Sequence, residues 1–151
     1  MSNHEARISW ARNADAPFTY DTYSRDHRVA METGLVFPIS AAPDFKGSPT
    51  LTNPEELLVA ALSSCHMLTF LAICAKKGFV VESYEDTAVG VLERAEGAPM
   101  HITRCVLRPR VAFSGTAPDA ETLDKLHEQA HRGCFIANSV KTVVTVEAPR
   151  T

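Results

Sequence analysis

An apolar segment at residues 57–75 constrains the fold of this chain more than any other feature of its sequence. Residues 53–56 (Asn-Pro-Glu-Glu) precede it and are typical of a helix start, since Asn53 can cap the helix and Pro54 fits its first turn. Residues 76–78 (Lys-Lys-Gly) supply basic residues and a terminating glycine. The sequence therefore predicts a single helix of roughly 24 residues and roughly 36 Å, at about 1.5 Å per residue.

The composition of this helix predicts that protein surrounds it. Leucines together with Phe70 and Ile73 leave little polar face, and a helix that is apolar nearly all round is buried. Ser63, His66 and Thr69 interrupt the apolar segment, which disfavours a membrane span. One antiparallel sheet and one shorter helix cover too little of the long helix. We therefore expect a homodimer in which a second copy covers the rest.

The remaining sequence predicts strands and one more helix. The first fifty residues contain strand-like alternation, an aromatic-rich stretch from Phe18 to Tyr23 and a hairpin turn at Gly34. Further strands are predicted at residues 79–94, 102–113 and 142–147. A shorter helix begins within residues 116–119 and ends at Gly133. We expect residues 1–151 to form a single α+β domain with an antiparallel sheet of about six strands.

The charge balance and the cysteine content narrow the class of protein. Fifteen Lys and Arg against eighteen Asp and Glu give a net charge of −3, which excludes the basic surface of a dedicated nucleic-acid-binding protein. The first residues show no positively charged start followed by an apolar stretch, so we expect a cytoplasmic protein without a membrane partner. In that compartment structural disulfides are rare, and paired thiols indicate redox or metal chemistry.

Two of the four cysteines, Cys65 and Cys134, are the candidates for such chemistry. In a metal hypothesis, Cys65 and His66 would join His131 and Cys134 around zinc. Adjacent helical residues diverge by about 100°, however, so we predict no metal site. In the redox hypothesis, one thiolate attacks a substrate and the other closes a disulfide. The remaining cysteines are expected to pack in the core: Cys74 and Cys105.

Three segments together resemble the OsmC and Ohr family of osmotically inducible and organic hydroperoxide resistance proteins. They are residues 53–65, the beginning of the long helix up to Cys65; residues 130–134 (Ala-His-Arg-Gly-Cys); and residues 25–29 (Arg-Asp-His-Arg-Val). The resemblance covers nearly the whole chain, with the motifs in the family's order. It implies an α+β fold with an antiparallel sheet and a long buried central helix, within an intertwined homodimer.

The resemblance also implies an activity and the residues that carry it. Cys65 matches the family's peroxidatic cysteine and Cys134 its resolving cysteine. Arg25 matches the active-site arginine, and Glu55 matches the acid that orients this arginine. The implied protein is a thiol-dependent peroxidase that reduces organic hydroperoxides, needs no cofactor and is reset by an external dithiol. The alternative is a non-catalytic module that binds a hydrophobic ligand in the dimer cleft.

Thiol chemistry explains why such an arginine is needed. A free thiol with a pKa near 8.5 is scarcely ionised at neutral pH, and the helix dipole helps little in mid-helix. A guanidinium beside Cys65 would stabilise both its thiolate and the departing oxyanion. Glu55 lies about 15 Å from Cys65 along a straight helix. Either the helix is broken, or the Glu–Arg pair serves a cysteine of the partner chain, and we favour a site at the dimer interface.

The chain departs from the organic-hydroperoxide branch of the family after both cysteines. His66 and Met67 follow Cys65, where that branch usually carries an aromatic residue, and residues 135–139 lack the proline often found after the second cysteine. The sequence is therefore similar to a less characterised OsmC-like branch. The histidines near the cysteines are expected to be half-buried or exposed helix residues: His66, His127 and His131.

Overall fold

The computed structural model describes residues 1–148 and has a mixed α+β fold, which confirms the predicted fold class. The chain packs as two compact units, Met1–Leu57 and a second that begins at Leu58. The boundary falls inside the long helix, near its first turn. The expectation of one domain over residues 1–151 stays a prediction.

The first unit contains a three-stranded antiparallel sheet. Its strands are β1 (Ala6–Ser9), β2 (His27–Met31) and β3 (Val36–Ile39), in that order across the sheet. The β2–β3 hairpin turns at Gly34, whose φ of +88° lies in the left-handed region that glycine adopts without strain. The aromatic-rich stretch before β2 forms turns rather than a strand.

The long helix α1 (Pro54–Lys77) has the predicted ends. The backbone N–H of Glu56 donates to Asn53 Oδ1 at 2.9 Å, so Asn53 caps the helix as expected. At the other end, Gly78 has a φ of +81°, and the N–H of Phe79 donates to the Cys74 carbonyl at 3.0 Å. Both boundaries follow from short-range interactions.

Only one stripe of α1 is buried within the chain. Residues four apart lie in the core, whereas Leu68 on another face is 60% exposed. An 18-residue window of α1 has a mean hydropathy of 2.1, so by length and composition it passes the test for a membrane span, as core helices of soluble proteins also do. The prediction that protein surrounds this helix is therefore not met by one chain alone. The buried stripe consists of Leu62, His66, Phe70 and Cys74.

The second unit contains two small sheets in place of one continuous antiparallel sheet. Strand β4 (Val80–Glu85) pairs with β7 (Arg110–Ser114), and β5 (Val89–Arg94) pairs with β6 (Met100–Leu107), both antiparallel. Strand β8 (Val143–Val146) pairs with β6 in a parallel arrangement, contrary to the expectation of antiparallel pairing throughout.

The two long strands predicted at residues 79–94 and 102–113 are each divided in the structure. The divisions lie side by side, because the Asp86 carboxylate accepts the backbone N–H of Arg108 at 2.6 Å and the Ser63 hydroxyl at 2.5 Å. Pro109, which has no N–H to donate to a ladder, follows directly. The turn at Asp86 therefore ties both strand breaks to α1.

The second helix, α2 (Ala120–Gly133), is capped by Asp119, whose carboxylate accepts the Thr122 N–H at 2.8 Å. Its apolar stripe packs on α1.

Cys74 and Cys105 are fully buried in two separate core clusters, and burial raises the pKa of both thiols. They therefore remain protonated packing groups. The first cluster comprises Phe70, Cys74, Leu126 and Ala130, and the second Leu62, Cys105 and Leu107.

Candidate functional site

The structure brings Cys65 and Cys134 into contact, although 69 positions separate them in the sequence (134 − 65). Cys65 is half-buried on α1, and Cys134 is 1% exposed at the C-terminal end of α2. The two thiols lie close enough to influence each other's protonation, and both are free. One sulfur is thus accessible and the other is covered, which suits an attacking and a resolving thiol.

Gly133 allows α1 and α2 to approach each other closely beside the two cysteines. A Cβ added to Gly133 would lie 3.1 Å from the Thr69 methyl group, so glycine directly before Cys134 gives the closest fit against α1. Thr69 in turn donates its hydroxyl to the Cys65 carbonyl at 2.9 Å. The contact between helices therefore sets the position of both cysteines.

The environment of Cys134 keeps its proton in place. Burial raises the pKa of this thiol, and so does the neighbouring Cys65, whereas backbone N–H groups of Ala137 and Ile136 lower it. The Ala137 N–H lies 3.4 Å from the Cys134 sulfur. Cys134 therefore stays protonated at neutral pH.

Arg25, in the first unit, is held by the loop that precedes β2. Its guanidinium donates to the carbonyls of Tyr23 and Tyr20, each at 2.5 Å, and lies 3.8 Å from the centre of the Tyr23 ring. Its Nε is buried without a hydrogen-bond partner. The guanidinium is therefore oriented by backbone carbonyls and an aromatic face.

Within residues 1–148, Arg25 and Glu55 form no ion pair, so the predicted orienting contact is not present in the single chain. Glu55 lies in the first turn of α1, and its Oε2 is buried without a hydrogen-bond partner. Each of the two side chains thus has an unsatisfied buried atom of the kind that the other could satisfy. The role of Glu55 stays a prediction.

Aromatic side chains line an apolar cavity of about 380 Å³ that is open to solvent beside Arg25. The Trp10 indole donates to the Ser24 carbonyl at 2.8 Å, and the Trp10 and Phe18 ring centres are 5.8 Å apart. Phe18 remains 63% exposed, so an apolar surface is open to solvent here. A cation and an apolar cavity therefore lie together in the first unit. The cavity is lined by Ile8, Trp10, Phe18, Tyr23, Ser24, Arg25, His27 and Ala41.

A pair of buried histidines lies between α1 and α2, and sequence analysis placed both incorrectly. His66 is 1% exposed and His127 is 4% exposed, whereas both were expected to be half-buried or exposed. His66 Nε2 and His127 Nδ1 are 3.1 Å apart, and the His127 ring stacks on Phe70 with centres 4.3 Å apart. His66 shares the four-residue spacing of the buried α1 stripe, which is the signal that could have identified it.

Residues 127–131 (His-Glu-Gln-Ala-His) also match the His-Glu-x-x-His pattern of zinc-binding helices. In the structure, His127 bonds to His66 and stacks on Phe70. No group of three or more His, Cys, Asp or Glu within residues 1–148 is arranged to hold a metal ion. His127 thus takes part in packing and hydrogen bonding between the two helices.

The buried histidine pair predicts a loss of stability in acid. Burial lowers the pKa of His66 and of His127 from 6.5 to about 4. As the pH falls from 6.5 toward 4, the unfolded chain therefore binds protons that the folded chain does not. The free energy of unfolding should fall by up to about 1.4 kcal/mol per pH unit for each histidine.

Urea unfolding at several pH values between about 4.5 and 7 measures this slope. His127→Phe keeps the ring stacked on Phe70 but cannot be protonated, so we expect a shallower slope than in the wild type. Equal slopes in the two chains would show that the pair does not contribute to the acid sensitivity.

The sequence of this chain is similar to those of known proteins. Residues 47–148 match the sequence model of the family described as OsmC-like protein. The chain is 32% identical to peroxiredoxin OsmC of Escherichia coli (strain K12) over 121 residues, which cover 79% of this chain and 82% of the relative.

Solved structures show the same fold. An OsmC-like protein of unknown function from Vibrio cholerae superposes with a TM-score of 0.93 at 45% identity, over 99% of this chain and 100% of that one. An organic hydroperoxide resistance protein from Elizabethkingia anophelis superposes with a TM-score of 0.77 at 17% identity, over 100% of this chain and 98% of that one. The second similarity concerns the fold alone.

Proposed function

This chain belongs to the OsmC-like protein family, and from that premise we propose that it is a cysteine-based peroxidase that reduces organic hydroperoxides. A relative that is 32% identical is named a peroxiredoxin, which supports a peroxide-related function. The single observation that carries the proposal is the contact between half-buried Cys65 and buried Cys134.

In the proposed first step, the Cys65 thiolate attacks one oxygen of the hydroperoxide. An S–O bond forms and the O–O bond breaks, so sulfur is oxidised to a sulfenic acid and the peroxide is reduced to an alkoxide. The alkoxide takes up a proton and leaves as an alcohol. Cys65 is the only cysteine of the four that is not buried, so it is the one that a substrate can reach.

In the second step, Cys134 attacks the sulfenic sulfur of Cys65. An S–S bond forms and the S–O bond breaks, and hydroxide leaves as water once it is protonated. The proximity of the two thiols in the single chain supports this step. An external dithiol then exchanges with the disulfide and restores both thiols.

We further propose that Arg25, oriented by Glu55, stabilises the Cys65 thiolate and the departing oxyanion within a homodimer. The unsatisfied Nε of Arg25 and Oε2 of Glu55 support their pairing in the assembled protein. The unbroken α1 removes one of the two explanations for the spacing of Glu55 and Cys65. The remaining explanation is that the Glu55–Arg25 pair of one chain acts on Cys65 of the partner chain.

The large apolar surface that one chain leaves open supports the homodimer. Leu68 on α1 is 60% exposed and Phe135, directly after Cys134, is 82% exposed. A second copy of the chain that packed against α1 and the end of α2 would cover both side chains.

The substrate class follows from the aromatic cavity beside Arg25. Its largely apolar walls suit the carbon chain of an organic hydroperoxide better than they suit the small and polar hydrogen peroxide. The same cavity favours the alternative function, a non-catalytic module that binds a hydrophobic ligand. The two functions differ in whether Cys65 reacts with peroxide in a catalytic cycle.

Peroxide consumption by the full chain with a dithiol donor tests the proposal. We expect a higher kcat/KM for a bulky organic hydroperoxide than for hydrogen peroxide. Trp10→Ala should lower the organic value by roughly tenfold, about 1.4 kcal/mol, and leave the hydrogen peroxide value unchanged. Leu35→Ala, which changes an exposed apolar residue that does not line the cavity, is the control. Binding of the organic compound without consumption would favour the non-catalytic module.

A further inference from the structure

The chain forms a short turn around the Cys134 sulfur directly after α2. The turn covers residues 134–139 and includes one turn of 3₁₀ helix at Ala137–Ser139. The Ala137 N–H lies 3.4 Å from Cys134 Sγ, and the Ile136 N–H also acts on this sulfur. Backbone N–H groups that point at one atom stabilise a negative charge there. The turn therefore offers the Cys134 thiolate two donors in a site that is closed to water.

The side chain of Asn138 fastens this turn to the end of α2. Its Nδ2 donates to the Cys134 carbonyl at 2.9 Å and to the Arg132 carbonyl at 3.0 Å. The backbone N–H of Asn138 donates to the same Cys134 carbonyl at 3.1 Å. Because carbonyl oxygens only accept hydrogen bonds, the NH₂ group of the amide must face them, and both of its hydrogens are used. Asn138 therefore closes the backbone around Cys134 from residue 132 to residue 138.

The end of α2 explains why one side chain has this influence. Cys134 is the first residue beyond the helix, and its φ of −72° and ψ of 110° are those of extended backbone. Carbonyls in the last turn of a helix have no partner within the helix, and Arg132 is one of these residues. The Asn138 amide supplies that partner from outside the helix. Its side chain is exposed, so replacing it leaves the packing of the core unchanged.

In the proposed cycle, Cys134 must lose its proton and attack the sulfenic sulfur of Cys65. Burial opposes the charge on Cys134, so the attack depends on the donors that the turn brings to the sulfur. Building on the proposed peroxidase function, we propose that Asn138 is a positioning residue for this step. It holds the turn so that backbone N–H groups face the Cys134 sulfur as the thiolate forms.

The step is balanced without a further oxidant. The Cys134 thiolate attacks the sulfenic sulfur of Cys65, the S–S bond forms and the S–O bond breaks. The proton from Cys134 and the leaving hydroxide together give one water. Asn138 touches none of the reacting atoms and acts through the backbone of the turn.

Three replacements of Asn138 separate its hydrogen-bond donors from its size. Asn138→Asp keeps the shape of the side chain but places a carboxylate, which cannot donate, against two carbonyl oxygens. Asn138→Ala removes the amide altogether. Asn138→Gln keeps the donor amide on a stem that is one methylene longer. Urea unfolding of each variant establishes that the chain is folded, and Asn138→Asp is used alone if Asn138→Ala is not.

The two chemical steps are measured after a single addition of organic hydroperoxide to fully reduced protein. Rapid quenching and intact-mass measurement give the rate of sulfenic acid formation and the rate of disulfide formation. We expect disulfide formation to slow by about tenfold in Asn138→Ala and at least as much in Asn138→Asp, while sulfenic acid formation is unchanged. Asn138→Gln should recover part of the rate, because it restores a donor.

Ser139→Ala is the matched control. Ser139 is the next residue of the same turn, and its hydroxyl donates to the Phe135 carbonyl at 2.8 Å. Its removal takes one side-chain bond from the turn and leaves both bonds of Asn138 in place. We expect both rates in Ser139→Ala to stay within about twofold of the wild type.

Two results would overturn the role of Asn138. One is disulfide formation within about twofold of the wild type in both Asn138→Ala and Asn138→Asp. The other is equal slowing in Ser139→Ala and Asn138→Ala, which would indicate that any loosening of the turn has the same effect.

Diamide, a small diazene oxidant, distinguishes a failure of this inference from a failure of the proposed function. The Cys65 thiolate adds to its N=N bond, and Cys134 then displaces the reduced hydrazine as the same disulfide forms. A wild-type chain that forms no sulfenic acid with organic hydroperoxide contradicts the proposed peroxidase function. Ring closure with excess diamide then decides the inference: slower closure in Asn138→Asp supports it, and closure at the wild-type rate overturns it.

Discussion

Replacing Cys65 by serine should reduce organic hydroperoxide consumption on the order of a thousandfold or more, because no other cysteine can take its place as the nucleophile. Cys74 and Cys105 are fully buried with raised pKa values, and Cys134 retains its proton. A serine hydroxyl is not ionised at neutral pH and does not attack peroxide oxygen. The measurement is kcat/KM with a dithiol donor at fixed pH.

Cys105→Ala is the matched control for this loss. It also removes one thiol from the second unit, but that thiol lies in the core between Leu62 and Leu107. We expect its activity to stay close to that of the wild type, with some loss of stability from the small cavity. A Cys65→Ser chain that retains a tenth or so of wild-type activity would show that Cys65 is not the attacking group.

Removing the Arg25 side chain should have the second largest effect. Arg25→Ala should lower kcat/KM on the order of a hundredfold to a thousandfold, the range found when a group that stabilises an oxyanion is lost. The alkylation rate of Cys65, followed against pH, should shift to a higher midpoint, with about 1.4 kcal/mol for each unit of pKa. Arg25→Lys keeps the charge but not the two-pronged geometry and should recover only part of the rate.

Arg28→Ala is the control for Arg25, since it removes a neighbouring, exposed arginine on β2. Equal losses from Arg28→Ala and Arg25→Ala would contradict the specific role of Arg25. Mixing Arg25→Ala chains with Cys65→Ser chains determines which chain supplies the arginine. Activity that returns in the mixture indicates that Arg25 serves the partner's cysteine; a mixture that stays inactive indicates that it serves its own.

The predictable parts of the structure are those set by neighbours in the sequence. The ends of α1 depend on Asn53 and Gly78, which act within one turn of the helix, and both were predicted correctly. The fold class followed from helical periodicity alternating with strand periodicity. The resemblance in three short segments identified the family, whereas the roles that it implied for Cys65 and Cys134 stay predictions.

The parts that were not predicted depend on contacts between distant residues. The breaks in the long strands follow from one carboxylate, Asp86, which bonds to a backbone amide 22 positions away. The histidine pair joins positions 61 residues apart, so neither His66 nor His127 shows its partner in the local sequence. The carbonyls that orient Arg25 belong to Tyr20 and Tyr23. These residues lie in turns, whereas the aromatic-rich sequence around them favoured a strand.

In the proposed peroxidase cycle, Cys65 and Cys134 form one disulfide during each turnover. Intact-mass measurement after one equivalent of organic hydroperoxide, followed by peptide mapping, tests it most directly. We expect a loss of about 2 Da in the wild type and a crosslink that joins Cys65 to Cys134, with a stable sulfenic acid of about +16 Da on Cys65 in Cys134→Ser. A crosslink to Cys74 or Cys105, or an unchanged mass in the presence of peroxide consumption, would contradict it.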